Sequence, residues 1–282
     1  MNRVVDTQTL RPLSPPCALD LAVDVGADGR SRLLRRRVAF PWSMGRGFAP
    51  EWPGEPILIL PQAAGAGLLS GDDVEQRLEI RSGAAARLES AGATMVHRGD
   101  RGAARSQWRF RLREEAALVV AAEPHVLASG CRLELRTDIE IEDGASFIGF
   151  EGICHAASLS GSEPAGAWFA ETRVRRFDGR TLFVDRQEAK ADDAGRVKAL
   201  PGAPSAFGTV LVLGPAADRC GIAPGALELP GVYAAAAVLR AEAGLAVRIA
   251  AQTGGALRTA GRQLVSRAAS ALGPAWSRTA IR

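Results

Sequence analysis

The chain has 282 residues, 47% of them hydrophobic, and its 35 Lys and Arg nearly balance its 31 Asp and Glu. This composition excludes a disordered chain, and the length permits one large domain with a substantial core. The net charge is +4 without a dense basic block, and every apolar run is far shorter than the roughly 20 residues of a membrane-spanning helix. We therefore expect neither a nucleic-acid partner nor a membrane partner.

The N-terminal segment, residues 1–16, is polar, contains prolines and lacks the apolar region of a secretory signal. We therefore expect a cytoplasmic chain, with residues 1–20 as a candidate disordered segment. The cysteines lie far apart without CxxC spacing, which argues against a disulfide framework and a structural zinc site. They are Cys17, Cys131, Cys154 and Cys220.

An internal repeat is the first strong structural signal. Residues 78–84 match residues 139–145, and a weaker copy at residues 110–116 lies between them. Each copy alternates apolar and polar residues, turns at or near a Gly-Ala step, and resumes with apolar residues, which is typical of a half-buried strand pair. Recurrence at intervals of about 30 residues predicts similar units stacked on one another. We expect the strands of these units to be antiparallel.

Further strand signals surround the repeats. An Asp178-Gly179 step between two alternating segments predicts a hairpin. The segment 233–243 fits either a helix, through its alanines, or a strand paired with residues 245–251. The remaining predicted strands are residues 57–60, 168–176, 181–185, 209–213 and 245–251.

The C-terminal part predicts a helix. Five apolar residues fall on one helical stripe, Thr253 is available as an N-terminal cap, and Gly273-Pro274 ends the pattern. The stripe consists of Leu257, Leu264, Val265, Ala268 and Leu272. The sequence thus predicts one mainly β domain over residues 1–282, built from stacked antiparallel units with Gly-Ala turns and one or two helices, chiefly C-terminal. The only soft breaks are residues 161–166 and 191–204.

Catalytic signals are weak. The three histidines are His97, His125 and His155, and the side chains of Cys154 and His155 would point to opposite faces of a strand. A Cys-His hydrolase remains as a third alternative, through distant residues such as Cys131 and His125. The glycine-rich residues 65–71 lack the Lys-Ser/Thr of a phosphate-binding loop and lead into a strand. We expect no catalytic residues and no nucleotide site.

A tight metal site is also not predicted. The histidines lie on separate segments without an HxH or HxxxH pair, although histidine and carboxylate would suit a divalent metal such as nickel. Asp138, Glu140 and Glu142 share one face of a predicted strand. That face is either solvated or part of the lining of a path for a passing ion.

Several different motifs follow one another along residues 35–186. A glycine-rich turn ends in Gly-Asp, a Gly-Ala-Thr stretch ends in His-Arg, and a Gly-Ala turn is followed by an aromatic-Glu pair. The motif positions are Gly67, Gly71, Asp72, Gly92, Ala93, Thr94, His97, Arg98, Gly144, Ala145 and Glu151. In this order they resemble the urease accessory protein family UreD, also called UreH.

The resemblance implies a β-rich fold with a couple of helices and no catalytic residues. It implies binding to apo-urease and to a UreF-like protein that recruits a UreG-like GTPase, with nickel passing through an internal passage. No cofactor would be tightly bound, and nickel would be transient. Asp72, His97, Asp138 and Glu140 are our candidates for lining that path. We also expect exposed apolar patches for partners, with the predicted C-terminal helix as a candidate. A β-rich binding module unrelated to urease is the alternative.

Overall fold

A computed structural model describes residues 17–156, 165–190, 203–229 and 231–278. Within these residues the chain is mainly strand. The strands are β1 (Leu19–Val25), β2 (Ser31–Val38), β3 (Trp42–Ser43), β4 (Ile57–Ile59), β5 (Gln62–Ala63), β6 (Asp73–Ile80), β7 (Ala85–Glu89), β8 (Thr94–Val96), β9 (Ala104–Leu112), β10 (Ala117–Ala121), β11 (His125–Leu127), β12 (Arg132–Ile141), β13 (Ser146–His155), β14 (Ala167–Arg175), β15 (Thr181–Ala189), β16 (Ala206–Leu213), β17 (Gly225–Leu229), β18 (Val232–Val238) and β19 (Gly244–Ala251). The helices are α1 (Pro215–Arg219), α2 (Gly254–Ala269) and α3 (Ala275–Arg278).

Two sheets pack face to face. The seven-stranded sheet has the order β15-β14-β12-β9-β6-β1-β2, and β3 and β5 form a separate ribbon. The ten-stranded sheet has the order β17-β18-β19-β16-β13-β10-β7-β4, and β11 pairs with both β13 and β8. Apolar side chains of both sheets, including Leu21, Ile80, Leu112, Leu118 and Ile141, form a core between them. The mainly β fold of stacked units is therefore confirmed.

The stack is parallel, where the sequence predicted antiparallel units. Each unit crosses from the seven-stranded to the ten-stranded sheet, as β6–β7, β9–β10 and β12–β13, so its two strands face each other across the core. Neighbouring units then place like strands side by side in the same direction. The turns bond to the next layer, with the Gly83 amide donating to the carbonyl of Glu114. Alternating apolar residues therefore identified the strands correctly but could not distinguish this arch from a hairpin.

The internal repeat coincides with the strand register. Leu78 pairs with Phe110, and Phe110 pairs with Ile139, which are the first residues of the three copies. The sixth residue of each copy has a positive φ: 68° at Gly83, 56° at Glu115 and 73° at Gly144. Glycine adopts this conformation at little cost, whereas Glu115 is held there by the layers on either side.

The other predicted elements largely agree with the structure. Asp178-Gly179 lies in the hairpin between antiparallel β14 and β15. The ambiguous segment 233–243 is mostly strand, because β18 pairs with β19. The side chain of Thr253 accepts a hydrogen bond from the Ala256 amide and so caps α2.

The C-terminal helix does not offer the exposed apolar surface that the sequence predicted for a partner. Its apolar stripe packs on the ten-stranded sheet, and Leu257, Leu264 and Val265 are at most 3% exposed. The helix therefore covers its own sheet, and its apolar face is not open to a partner. None of the helices in the described ranges has the length and apolar content to span a membrane.

The predicted boundaries lie mainly outside the described ranges. Residues 1–16, 157–164 and 191–202 cover most of the candidate disordered segment and of the two soft breaks. Leu19 already belongs to β1 and is fully buried.

Candidate functional site

A polar row crosses the interior of the sandwich. Five inward-facing positions of the seven-stranded sheet lie in register on five strands. They are Gln76, Trp108, Thr137, Thr172 and Asp185. The row is bordered by apolar residues on both sides, such as Leu78 and Ile139 on one side and Val74 and Leu135 on the other. Interior polar groups are costly unless they bond to one another or to a guest, so this row is the first candidate site.

The ten-stranded sheet contributes a second polar row. Glu151 on β13, Thr209 on β16 and Arg248 on β19 lie in register. Arg248 forms an ion pair with Asp185 of the opposite sheet, and its Nη1 donates to the Thr209 hydroxyl at 2.8 Å. Gln187 Nε2 donates to both Asp185 Oδ2, at 3.1 Å, and Thr209 Oγ1, at 3.2 Å. These bonds join the two sheets at one end of the polar rows.

Two neighbouring cavities lie between the sheets along these rows. The first has a volume of about 90 Å³ and is lined by Glu151, Asp185 and Thr209. The second has a volume of about 80 Å³ and is lined by Gly67, Thr94 and Ser106. They share Trp108, Val120, Ala122, Glu123 and His125 in their walls. We call the pair the inter-sheet cavity; each part has room for several water molecules.

Glu151 has the most perturbed carboxyl of the cavity. Burial raises its pKa from 4.5 to about 7, and the nearby Asp185 adds to the rise, while the Thr137 hydroxyl and Arg248 oppose it. The Thr137 hydroxyl donates to Glu151 Oε2 at 3.4 Å. A carboxyl that is close to half-ionised at neutral pH can release its proton to accept a cation.

His125 and Glu123 complete the ionisable groups of the cavity. Burial lowers the pKa of His125 to about 4, so its imidazole is neutral at pH 7 and able to act as a metal ligand. Its Nδ1 atom is enclosed and has no hydrogen-bond partner in the described ranges. Glu123 forms ion pairs with Arg258 and Arg262 of α2.

Asp72 and His97, two of the predicted path residues, both bond to one loop beside this cavity, and neither side chain lines the cavity. Asp72 Oδ2 accepts a hydrogen bond from the Leu69 amide at 2.8 Å, and His97 Nε2 lies 3.0 Å from the Ala66 carbonyl oxygen. Both side chains thereby hold the loop whose Gly67 and Leu68 line the cavity. Asp72 thus caps a turn in the loop that contributes to the cavity wall.

Asp138 and Glu140 lie elsewhere, on the outer face of the seven-stranded sheet. Gln107 Nε2 donates to Asp138 Oδ2 at 3.1 Å, and Arg111 Nε donates to Glu140 Oε2 at 2.8 Å. Arg175 Nη2 is 3.7 Å from both carboxylates. The residues Asp138, Glu140, Arg111 and Arg175 line an open groove of about 710 Å³. In the described ranges no three His, Cys, Asp or Glu side chains are grouped so as to hold one metal ion.

The glycines of the sequence motifs have distinct roles. Gly67 has a φ of 121° and lies against the backbone of Met95, and Gly71 has a φ of 83° and lies against Arg101. Ala145, after Gly144, is buried, and Glu151 reaches the cavity. The residues Gly92, Ala93 and Arg98 are exposed, and Thr94 lies on β8 and lines the cavity.

A Cys-His hydrolase finds little support in the thiols. Burial raises the pKa of Cys131 to about 11 and also raises that of Cys154. Both thiols are therefore protonated at neutral pH, which is the unreactive form of a cysteine.

The polar rows could not be recognised from local motifs, because each strand contributes a single residue. One signal was present: Gln76, Trp108 and Thr137 stand two residues before Leu78, Phe110 and Ile139 in the three repeats. Residues two apart share a strand face, so these three belong to the inner face of the stack. Asp185 and Arg248 join them only through the packing of the two sheets.

We expect Glu151 to make stability depend on pH. Its carboxyl is protonated up to about pH 7 in the folded protein but only to about pH 4.5 in the unfolded chain. The native state binds more protons between these values, so this contribution to stability is lost as the pH rises through them. Relative to the wild type, Glu151→Gln should therefore gain stability between about pH 5 and about pH 8.

Urea unfolding of the wild type and of Glu151→Gln at about pH 5 and about pH 8 measures this difference in stability. Glu140→Gln, on the outer sheet face, is the matched control and should show no such gain. An equal pH dependence of the wild type and Glu151→Gln would contradict the assignment.

Comparison with known proteins gives a consistent result. The family model of the UreD urease accessory protein matches residues 17–280. The chain is 32% identical over 258 residues to urease accessory protein UreD 1 of Bradyrhizobium sp. (strain BTAi1), covering 86% of this chain and 87% of that protein. It is 32% identical over 242 residues to urease accessory protein UreD of Mycolicibacterium smegmatis, covering 83% of each chain.

Proposed function

The chain belongs to the UreD family of urease accessory proteins, and we propose that it is a cytoplasmic, non-catalytic factor in urease maturation. In this role it binds apo-urease and a UreF-like protein, which brings a UreG-like GTPase, and it helps to deliver nickel to the urease active site. Nickel is a passing cargo here, and no cofactor is held tightly.

The inter-sheet cavity is the observation that best supports this role. Its walls combine carboxylates, a neutral imidazole and hydroxyls, which suit a divalent cation that must enter and leave. Single metal-binding side chains spread along the two polar rows offer a cation successive weak contacts instead of one high-affinity site. We therefore propose that nickel passes between the sheets, with Glu151, Asp185 and His125 along the route and with Asp72 and His97 holding the loop of Gly67 and Leu68 beside it.

The outer groove is the second candidate route. Asp138 and Glu140 face it, but both carboxylates are already engaged with Gln107, Arg111 and Arg175. A cation in the groove would have to compete with these arginines. In the cavity Asp185 is likewise paired with Arg248, but the Nδ1 atom of His125, a residue of the cavity wall, has no hydrogen-bond partner in the described ranges. For this reason we favour the cavity.

Co-expression with urease and its accessory proteins tests the role. We expect the chain to co-purify with apo-urease and with a UreF-like protein, and its deletion to abolish nickel-dependent urease activity without lowering the amount of urease protein. Normal urease activity in the deletion strain, with no urease protein co-purifying, would contradict the proposal and favour an unrelated binding module.

A further inference from the structure

Exposed aromatic side chains are concentrated in the segment between β2 and β4. In the described ranges the strongly exposed aromatic side chains are Phe40 (81%), Phe48 (60%), Trp52 (63%) and Tyr233 (73%). Three of the four therefore fall in one short stretch of chain. Such side chains are costly to leave in water, so their concentration on one segment indicates a contact surface.

The backbone of this segment is fixed although its aromatic side chains are exposed. Phe48 exchanges two backbone hydrogen bonds with Leu58, at 2.8 and 3.1 Å. Glu55 Oε2 accepts hydrogen bonds from the amides of Glu51 and Trp52, and Arg36 Nη1 donates to the Met44 carbonyl at 2.8 Å. Aromatic groups on a fixed backbone bind with little loss of conformational entropy.

The charge around these aromatics is mainly positive, although Glu51 and Glu55 lie on either side of Trp52. Residues 29–50 contain six arginines and no Asp or Glu. Arg30, Arg32 and Arg35 pair with Asp28 and Asp20. Arg37 and Arg46 are exposed and form no ion pair with any residue of the described ranges. We define the aromatic–arginine surface as Arg37, Phe40, Arg46, Phe48 and Trp52.

We propose that the aromatic–arginine surface docks an acidic amphipathic segment of a partner protein. Aromatic and arginine side chains are the residue types that carry most binding energy at protein interfaces, and free arginines select an acidic counterpart. A second copy of this chain fits poorly, because two arginine-rich surfaces would repel each other.

The position of the surface favours a protein occupant over a membrane. Pro41 and Trp42 follow Phe40 directly and line the inter-sheet cavity. A partner docked at Phe40 therefore lies next to residues of the cavity wall, close to the route proposed for the ion. This step rests on the proposed maturation role, whereas the acidic and amphipathic character of the partner does not.

A synthetic amphipathic helix with leucine on one face and glutamate on the other tests the surface directly. We expect it to bind the full chain, and Phe48→Ser with Trp52→Ser to weaken binding at least about tenfold. Arg37→Glu with Arg46→Glu should weaken binding and reduce its dependence on salt. The matched controls, Tyr233→Ser and the exposed Arg132→Glu, should bind as the wild type does.

The other occupants appear as distinct results. Equal binding of a lysine-for-glutamate helix, or unchanged binding by the aromatic variant, overturns the proposal. The proposal is also overturned if the wild type is a dimer and the aromatic variant is a monomer. It is overturned as well if the wild type binds only phosphatidylglycerol vesicles and the aromatic variant does not bind them. If the acidic helix binds as expected but no urease protein co-purifies, the docking surface stands and the maturation role fails.

Discussion

Replacing Gly67 with alanine is expected to lower the free energy of unfolding by about 3 kcal/mol. A Cβ at this position would lie 3.0 Å from the carbonyl carbon and 3.2 Å from the nitrogen of Met95, and closer still to the carbonyl oxygen. The backbone φ of 121° is also one that side chains disfavour. Backbone atoms cannot rotate away, so the loop has to separate from β8.

That separation breaks a specific pair of hydrogen bonds. The Leu68 amide donates to the Met95 carbonyl at 2.8 Å, and the His97 amide donates to the Leu68 carbonyl at 2.9 Å. Denaturant unfolding measures the global cost, and hydrogen exchange at the Leu68 and His97 amides measures local opening. Protection unchanged at both amides, together with wild-type stability, would show that the close approach is not required.

Gly92 provides the matched control within the same set of motifs. It is exposed, a Cβ added there would meet no heavy atom of the described ranges within 4 Å beyond its chain neighbours, and its φ is not in the left-handed region. Gly92→Ala should therefore change the free energy of unfolding by less than about 0.5 kcal/mol. A large loss in both variants would point to a general intolerance of this region and not to the contact with Met95.

Removing the two cavity carboxylate charges is expected to reduce nickel-dependent urease activation at least about tenfold. The variant is Glu151→Gln with Asp185→Asn, which keeps side-chain shape while removing the charges that would attract the ion. Both residues line the inter-sheet cavity, and they come from opposite sheets. The measurement is urease activity after maturation with limiting nickel, alongside co-purification of the partners.

The outer sheet face provides a control of the same chemistry. Asp138→Asn with Glu140→Gln also replaces one Asp and one Glu by their amides, and we expect activation to stay within about twofold of the wild type. A third pair, Asp72→Ala with His97→Ala, should show an intermediate loss, because these residues hold the loop whose Gly67 and Leu68 line the cavity. Loss in the outer-face pair alone would move the route to the outer groove. Loss of co-purification in any pair would show a docking defect instead.

Much of the local structure follows from the sequence. Alternation of apolar and polar residues marks the strands, and the repeat of about 30 residues gives their register, because copies such as Leu78, Phe110 and Ile139 pair side by side. The cap at Thr253 and the apolar stripe from Leu257 locate α2. These features depend on neighbouring residues or on a fixed repeat, so they are readable along the chain.

The candidate site depends on contacts that no local pattern encodes. Glu151 and Thr137 meet across the two sheets, and Asp185 reaches Arg248, 63 positions later in the chain. The prediction of Asp138 and Glu140 as path residues used a shared strand face correctly, but whether that face is inside or outside depends on which sheet covers it.

Periodicity, turn chemistry and motif order thus predict a mainly β chain of stacked repeats, its capped C-terminal helix and its family resemblance, because these signals can be recognised along the chain. The parallel stacking of the repeats, and the placement of Gln76, Thr137, Glu151 and Asp185 in the walls of the inter-sheet cavity, depend on how the two sheets pack. The physical reason is that each unit arches from one sheet to the other, and the interior then forms from single residues of many strands.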